Sequence, residues 1–186
     1  MKKILVLGTG MPQGDLMTEC RSRGMEVHAC SYRAGYAAQS LADHFELINI
    51  VDETEVERYA RKIGADYVYS AGSDVAMPTV FAVSEKLSLP RFCDPAAAII
   101  CNRKPLLRST LGNDFEGNVR HQRITSPDEE LTVPFPLMMK PTDSQGQRGV
   151  CRVDSPEEFR ASFEHSVSFS REGAVIVEEL DRKSVV

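Results

Sequence analysis

Phe135-Pro136-Leu137-Met138-Met139-Lys140-Pro141-Thr142-Asp143-Ser144-Gln145-Gly146-Gln147-Arg148-Gly149-Val150-Cys151-Arg152-Val153 says more about this chain than any other stretch. Apolar residues lead up to Lys140, a polar loop follows, and Val150 and Val153 open a second extended segment. The pattern predicts two strands joined by a glycine-bearing loop. Glycine tolerates positive φ and close approach, so a loop with Gly146 and Gly149 can turn backbone N–H groups toward an anion. Lys140 and Arg148 put positive charge beside those donors, and together they would clamp a polyphosphate. The segment is not a P-loop, because no Gly-Lys-Ser/Thr is present and a strand rather than a helix follows. An ordinary hairpin carrying a chance lysine accounts for this segment equally well.

Composition narrows the classes. With 186 residues, 42% hydrophobic and 26% charged, the chain is an ordinary globular sequence, long enough for one domain or two small ones. A formal net charge of −5 argues against a general nucleic-acid role but permits a local basic pocket. No apolar run approaches the roughly 20 residues of a membrane span. The apolar part of Met1-Lys2-Lys3-Ile4-Leu5-Val6-Leu7-Gly8 is too short for a secretory signal, and Gly8-Thr9-Gly10 reads as a strand-to-helix turn. A cytoplasmic protein with no membrane partner is expected. Cys20, Cys30, Cys93, Cys101 and Cys151 are odd in number and lack Cys-x-x-Cys spacing, which argues against a disulfide framework or structural zinc site and predicts mostly core or helix-packing thiols. His28, His44, His121 and His165 are scattered along the chain and suggest no metal cluster.

Strands are expected at 3–7, 26–30, 47–51 and 66–70, alternating with helices at 12–23, 55–63 and 77–87. Such alternation implies a parallel sheet covered on both faces. Asp52-Glu53-Thr54-Glu55 supplies an acidic helix start, and Ser73 or Asp74 is the expected cap of the helix at 77–87, with Pro78 in its first turn. After Leu89-Pro90 the texture changes. Asp94-Pro95 starts a short Ala/Ile helix, Asn102 is the expected cap of a helix at 103–111 closed by Gly112, and 113–118 is loop. A strand at 119–124, a polar loop at 125–133, the opening pair of strands, a helix after the capping box Ser155-Pro156-Glu157-Glu158, and a strand at 174–179 complete the chain. Phe159 and Phe163 share one face of that helix.

Other constellations bear on function. Gly8-Thr9-Gly10-Met11-Pro12-Gln13-Gly14 invites a dinucleotide reading, but Gln13 stands where the third glycine of G-x-G-x-x-G belongs. The second strand also ends without an acidic residue for a ribose, which weighs against an NAD(P)-dependent oxidoreductase. Arg103 and Lys104 follow the expected cap Asn102, at the positive end of a helix dipole. Cations are locally unfavourable there, although free helix N–H groups beside them would suit an anion. A solvated pair explains these two residues as well. Glu178 and Glu179 end the apolar run Val175-Ile176-Val177 and offer backbone groups to a base edge; a solvated strand end is the plainer account. Ser70-Ala71-Gly72-Ser73-Asp74 follows a strand at the carboxyl edge of the sheet, where ligands of α/β folds bind, and simple helix capping explains it as well.

Taken in order, these pieces resemble the ATP-grasp superfamily, near its carbamoyl-phosphate-synthase-like and amino-acid-ligase-like members. The resemblance covers the whole chain, and the run Lys140-Pro141-Thr142-Asp143-Ser144-Gln145-Gly146-Gln147-Arg148-Gly149 is its most specific part. It implies an α/β protein: a Rossmann-like pre-ATP-grasp domain at 1–93, then linker helices and an α+β ATP-grasp N-terminal subdomain at 94–186. Lys104, with Arg103 as the alternative, would match the first nucleotide-contacting basic residue. Lys140 would reach the α/β-phosphates. Ser144, Gly146, Gln147, Arg148 and Gly149 would form the flexible loop over the triphosphate, and Glu178, Glu179 and Leu180 the adenine-side segment. The family uses ATP to convert a carboxylate into an acyl phosphate, which an amine or similar nucleophile then attacks. Positive charge and backbone donors suit a transferring phosphoryl group.

The resemblance also implies a second lobe with acidic and asparagine ligands for Mg2+, whereas this sequence closes on Leu180-Asp181-Arg182-Lys183-Ser184-Val185-Val186. An N-terminal portion of a small-molecule carboxylate–amine ligase is therefore expected, with ATP as cofactor and Mg2+ only where the second lobe is present. No catalytic residue is assigned. Without that lobe the chain is expected to bind ATP poorly and to show no turnover, and an apolar edge left open would favour homo-oligomers. A non-catalytic nucleotide-binding or regulatory module is the alternative.

Overall fold

A computed structural model describes residues 1–112 and 114–180. Asn113 of the loop expected at 113–118, and the closing segment at 181–186, lie outside the described residues. The chain divides into two compact units, Met1–Ile99 and a second that begins at Ile100.

The first unit is built on a parallel sheet. Its strands are β1 (Lys3–Leu7), β2 (Glu26–Ser31), β3 (His44–Leu47) and β4 (Tyr67–Tyr69), in the order β3-β2-β1-β4. The central strand β1 is apolar on both faces because both are covered. Leu5 and Leu7 pack with Val56, Tyr59, Val80 and Phe81, while Ile4 and Val6 pack with Met17, Cys20, Val27 and Ala29. Val27 and Ala29 belong to β2, and the other partners come from the helices α1 (Met11–Ser22), α2 (Glu53–Ile63) and α3 (Met77–Lys86). Helix α2 is fixed at both ends. The Asp52 carboxylate accepts from the Glu55 N–H at 3.0 Å, and Gly64 turns left-handed at φ 65°.

The third strand departs from expectation. It covers His44–Leu47 instead of 47–51, although Ile48, Ile50 and Val51 read as a strand. Asn49 is the reason: its carbonyl and side-chain oxygens accept from the N–H groups of Asp52 and Val51, and this turn delivers the chain to the α2 cap. The parallel register of β2 and β3 sets His44 opposite His28, and their rings stack with centroids 4.5 Å apart. Two histidines that look scattered in the sequence are thus neighbours. Helix α3 is also capped differently from expectation. Its N-cap is Ala76, with no side-chain bond, and the carbonyls of Ser73 and Asp74 accept from Ala76 and Met77 in turn geometry.

Two short helices follow, α4 (Pro95–Asn102) and α5 (Lys104–Leu111). Asn102 ends α4 instead of capping the next helix, and the N-cap of α5 is Arg103 in extended conformation. Pro105 explains the break, since proline fits only the first turn of a helix and would clash with the carbonyl four residues back. Gly112 closes α5 at φ 74°, and the Asn118 amide donates to the carbonyls of Arg108 and Gly112 at 3.0 and 2.7 Å.

The second unit carries an antiparallel sheet of β5 (His121–Ile124), β6 (Leu137–Pro141), β7 (Cys151–Val153) and β8 (Val175–Glu179), ordered β5-β8-β6-β7. Helix α6 (Pro156–Val167) covers one face, with Phe159 and Phe163 packed on Ile124, Leu137, Met139, Val153, Val175 and Val177. Ser155 accepts from the Glu158 N–H at 3.2 Å, as a capping box requires, but the Glu158 carboxylate reaches back to the Asp154 N–H. All five cysteines are free, and only Cys20 and Cys30 are fully buried. Burial pushes the Cys30 thiol up to about 12, which keeps it inert. Among the described residues no helix is long and apolar enough to cross a membrane.

Gly14 tests the packing of the first unit. It lies on the buried face of α1, where an added Cβ would sit 2.9 Å from the Ala38 Cβ and 3.3 Å from the Leu41 Cδ1. Ala38 is held by its N–H bond to the Thr9 carbonyl. Alanine within a helix normally gains roughly 0.8–1.0 kcal/mol over glycine. Here the contact outweighs that gain, and Gly14→Ala is expected to destabilise by about 1–2 kcal/mol. A higher midpoint in urea denaturation of the variant would refute this packing.

Candidate functional site

Alternation along β6 and β8 builds the site. Leu137 and Met139 face the helix-covered core, so Met138 and Lys140 face the other way; on β8, Val175 and Val177 face the core and Ile176 and Glu178 do not. The register pairs Met138 with Glu178 and Lys140 with Ile176, which leaves Lys140 and Glu178 as diagonal neighbours on one face.

Glu178 is only 3% exposed, so it is not a solvated strand end. Strand β8 lies between β5 and β6, and two cations meet its carboxylate. Lys140 Nζ donates to Oε2 at 2.5 Å, and Arg108 Nε donates to Oε1 at 2.9 Å. Burial pushes the Glu178 carboxyl up, but the hydrogen bonds and charges of Arg108 and Lys140 outweigh it and hold the group below the ordinary glutamate range. Arg108 is held in turn by the Asn118 side-chain oxygen at 3.3 Å. The sequence reading missed Arg108. The available signal was its spacing, one helical turn beyond Lys104 and therefore on the same side of α5.

The loop after β6 is tied at its entry. The buried Thr142 receives the Lys104 N–H on its carbonyl at 3.2 Å, and its own N–H reaches the Ala174 carbonyl at 3.2 Å. Lys104 Nζ donates to the Ser144 carbonyl at 2.6 Å. Asp143 accepts from Ser170 Oγ, the Arg171 N–H and Arg171 Nε, at 2.9–3.0 Å. Burial pushes the Asp143 carboxyl up, yet those donors outweigh it and hold the group low. The loop crest is exposed, with Gly146 at φ 66° and Gln147 at φ 59°. At the exit, Gly149 sits at φ 71° with its carbonyl bonded to Ser166 Oγ at 2.7 Å.

These parts enclose a cleft of about 660 Å³. Lys104 and Lys140, the loop residues Ser144, Gly146 and Gln147, and the β8 end Glu178, Glu179 and Leu180 all line it. Arg108, Arg152, Met138, Val119, Val150 and Gln145 complete the lining. Two expected residues do not. Arg148 is exposed and turns its Nε back to the Gln145 carbonyl, while Gly149 is packed against Pro141 and Phe169. Arg103 pairs with Glu172 at 3.3 Å, and Glu179 with Arg120 at 3.2 Å. The cleft thus sets four cations against two carboxylates, with Val119, Met138, Val150 and Leu180 as its apolar lining.

The glycine turn after β1 is filled from within. Gln13 is buried, its Oε1 accepts from the Gly10 N–H at 2.9 Å, and its Nε2 donates to the Ala71 carbonyl. One donor that would otherwise face a pyrophosphate is used by the protein itself.

No family model matches the chain. It is 25% identical over 176 residues to a formate-dependent phosphoribosylglycinamide formyltransferase of Bacteroides thetaiotaomicron, covering 92% of this chain and 45% of that protein. The enzyme of the same name from Prochlorococcus marinus is 26% identical over 196 residues, covering 97% and 48%. Among solved structures, N5-carboxyaminoimidazole synthetase from Staphylococcus aureus complexed with ADP superposes with a TM-score of 0.74 at 14% identity, over 96% of this chain and 47% of that one. L-amino acid ligase from Bacillus licheniformis gives 0.73 at 15% identity, over 97% and 44%. The chain spans about half the length of the curated relatives it matches.

Two substitutions test the geometry. Glu178→Gln leaves Arg108 and Lys140 facing each other without a counter-charge, and should cost about 3 kcal/mol at neutral pH, the low end for a broken buried ion pair. Because the folded carboxyl is held low, its stabilisation is complete above the ordinary glutamate value of 4.5 and fades as pH falls through the lower folded value. The variant should lack that part of the acid limb; equal acid limbs in urea denaturation would reject the pairing. At Gly149 an added Cβ would lie 2.8 Å from both Phe169 Cδ2 and Pro141 Cγ, while at Gly146 nothing lies within 4 Å. Gly149→Ala is expected to cost about 3 kcal/mol or more, and Gly146→Ala only about 1–2 kcal/mol from left-handed strain. Equal costs by thermal or urea unfolding would sink the distinction.

Proposed function

We propose, from the premise that this chain matches the N-terminal portion of the ATP-grasp ligases, that it forms the nucleotide-binding part of a ligase joining a carboxylate to an amine or similar nucleophile. One observation carries the reading: Lys104, Lys140, the 144–147 loop and the β8 end all line one cleft of the second unit. The cleft suits ATP. Lys140 and Lys104 supply charge for the phosphates, and the glycine-bearing crest lies over them as a cover. Met138, Val150 and Leu180 offer apolar surface to the base, beside the backbone of Glu179. Mg2+ fits less well. Among the described residues Glu178 is held by Arg108 and Lys140, and Glu179 by Arg120, so both cleft carboxylates are already engaged by cations.

In the proposed reaction a carboxylate oxygen attacks the γ-phosphorus of ATP, ADP leaves, and an acyl phosphate forms. The nucleophile then attacks the acyl carbon, phosphate departs, and the nucleophile loses a proton. The part of this chain is to hold and orient the triphosphate by charge that needs no rearrangement at the moment of transfer. Formate and phosphoribosylglycinamide, on which the relatives act by name, are the first substrates to try.

A non-catalytic nucleotide-binding module is the second reading, favoured by the engagement of both cleft carboxylates with cations. In a chain completed with the second lobe, phosphate release from ATP that depends on an added carboxylate and amine would select the ligase reading; ATP binding without such release would select the module.

The phosphate role of Lys140 is tested in a chain completed with the second lobe, by titration with MgATP and with adenosine. Lys140→Ala should weaken ATP by about 1.5–3 kcal/mol, the range for hydrogen bonds to charged groups, and leave adenosine unchanged. The exposed Lys62→Ala serves as control and should change neither. Equal ATP affinity in wild type and Lys140→Ala would reject the role.

A further inference from the structure

The sheet of the first unit places Glu26, His28 and His44 around one point, well away from its glycine turn in register. Glu26 and His28 alternate onto the same face of β2, and His44 of β3 stands opposite His28. His28 Nε2 lies 2.9 Å from Glu26 Oε1, and His44 Nε2 lies 3.4 Å from the same oxygen. One ligand atom from each residue falls within 4.8 Å of the other two. We propose that these three side chains form a zinc site.

The distances favour this assignment. Zinc–ligand bonds of about 2.0–2.1 Å at tetrahedral angles set neighbouring donor atoms roughly 3.3 Å apart. The observed 2.9 and 3.4 Å bracket that spacing, and all three donor atoms lie within 4.8 Å of one another; the His44 ring, stacked on His28 at an interplanar angle of 24°, must turn for its lone pair to meet the ion, which its exposure permits. Two imidazoles and a carboxylate are a ligand set that zinc takes, with water in the fourth position. His28 is buried and His44 is exposed, so one ligand is fixed and solvent can reach the ion. The other ring nitrogen of His28 is oriented as well: Nδ1 lies 3.2 Å from the Tyr59 hydroxyl of α2. Zinc on Nε2 moves the ring proton to Nδ1, where it donates to Tyr59, the outer partner that metal-bound histidines usually have.

Lys3 Nζ lies 3.6 Å from Glu26 Oε1 and competes with the ion for that oxygen. Its side chain is one-third exposed and can turn to water as zinc enters. Without a metal, the same contacts make a polar network centred on one carboxylate. That is the competing account, and it predicts no zinc affinity.

The test uses the whole chain, stripped with chelator and titrated with zinc against a chromophoric chelator. One zinc per chain is expected. His44→Ala and Glu26→Gln should each weaken binding at least about tenfold, and Tyr59→Phe about tenfold, the lower range for loss of an outer partner. His44 is exposed, so its variant keeps the fold, which circular dichroism checks. Substitution by cobalt should give d–d bands without a thiolate charge-transfer band, which separates this site from the cysteines. Absence of zinc binding, affinity unchanged in His44→Ala, or a thiolate band would overturn the proposal.

Discussion

Glu178 is a carboxylate taken almost out of water, and the second unit depends on keeping it charged. An isolated ion in that position would cost several kcal/mol. Arg108 from α5 and Lys140 from β6 meet its two oxygens and make the position tolerable. The pairing is therefore a constraint on three elements at once. It ties α5, β6 and β8 together through one buried carboxylate. Apolar packing under α6 supplies most of the stability of the sheet. That packing, by alternation, also turns Lys140 and Glu178 to the other face, where the ion cluster fixes how they meet.

The same cluster explains a local rule that the chain breaks. Positive charge at a helix N-terminus is unfavourable. Lys104 opens α5 regardless, because its ammonium is folded onto the Ser144 carbonyl and its N–H onto the Thr142 carbonyl. The helix start and the loop after β6 are thereby one structure. A cation at this place costs little once a backbone acceptor is aimed at it, and the charge remains at the wall of the cleft.

Much of this architecture was legible from residues alone. The parallel sheet followed from alternating strand and helix signals, and Lys3-Ile4-Leu5-Val6-Leu7 announced a strand buried on both faces. The β6 strand and its loop followed from apolar residues ending at Lys140 and from Gly146 and Gly149. What stayed hidden depends on register. Nothing in the order of residues says that Lys140 lies diagonal to Glu178, or that His44 lies opposite His28. Glu178 looked like a solvated strand end because burial of a carboxylate becomes intelligible only when its partners are known. The start of α5 was misread by one residue, since Asn102 is a good cap and Pro105, two residues past the true cap, decided the matter. The strand misplaced at 47–51 shows the opposite error: β-branched residues suggested pairing, whereas the Asn49 turn ended it.

The loop between β6 and β7 combines fixed ends with an exposed crest. At its entry Thr142 and Asp143 are buried and multiply bonded; at its exit Gly149 is wedged against Pro141 and Phe169. Between them Gly146, Gln147 and Arg148 are exposed, and two of these hold positive φ. Left-handed backbone at the exposed crest and close contacts at the buried ends therefore lie in different places. Gly146 has open space where its side chain would be, so its glycine serves backbone conformation alone. Gly149 serves close approach as well. Two glycines three residues apart thus meet two separate physical demands, backbone conformation at Gly146 and close approach at Gly149.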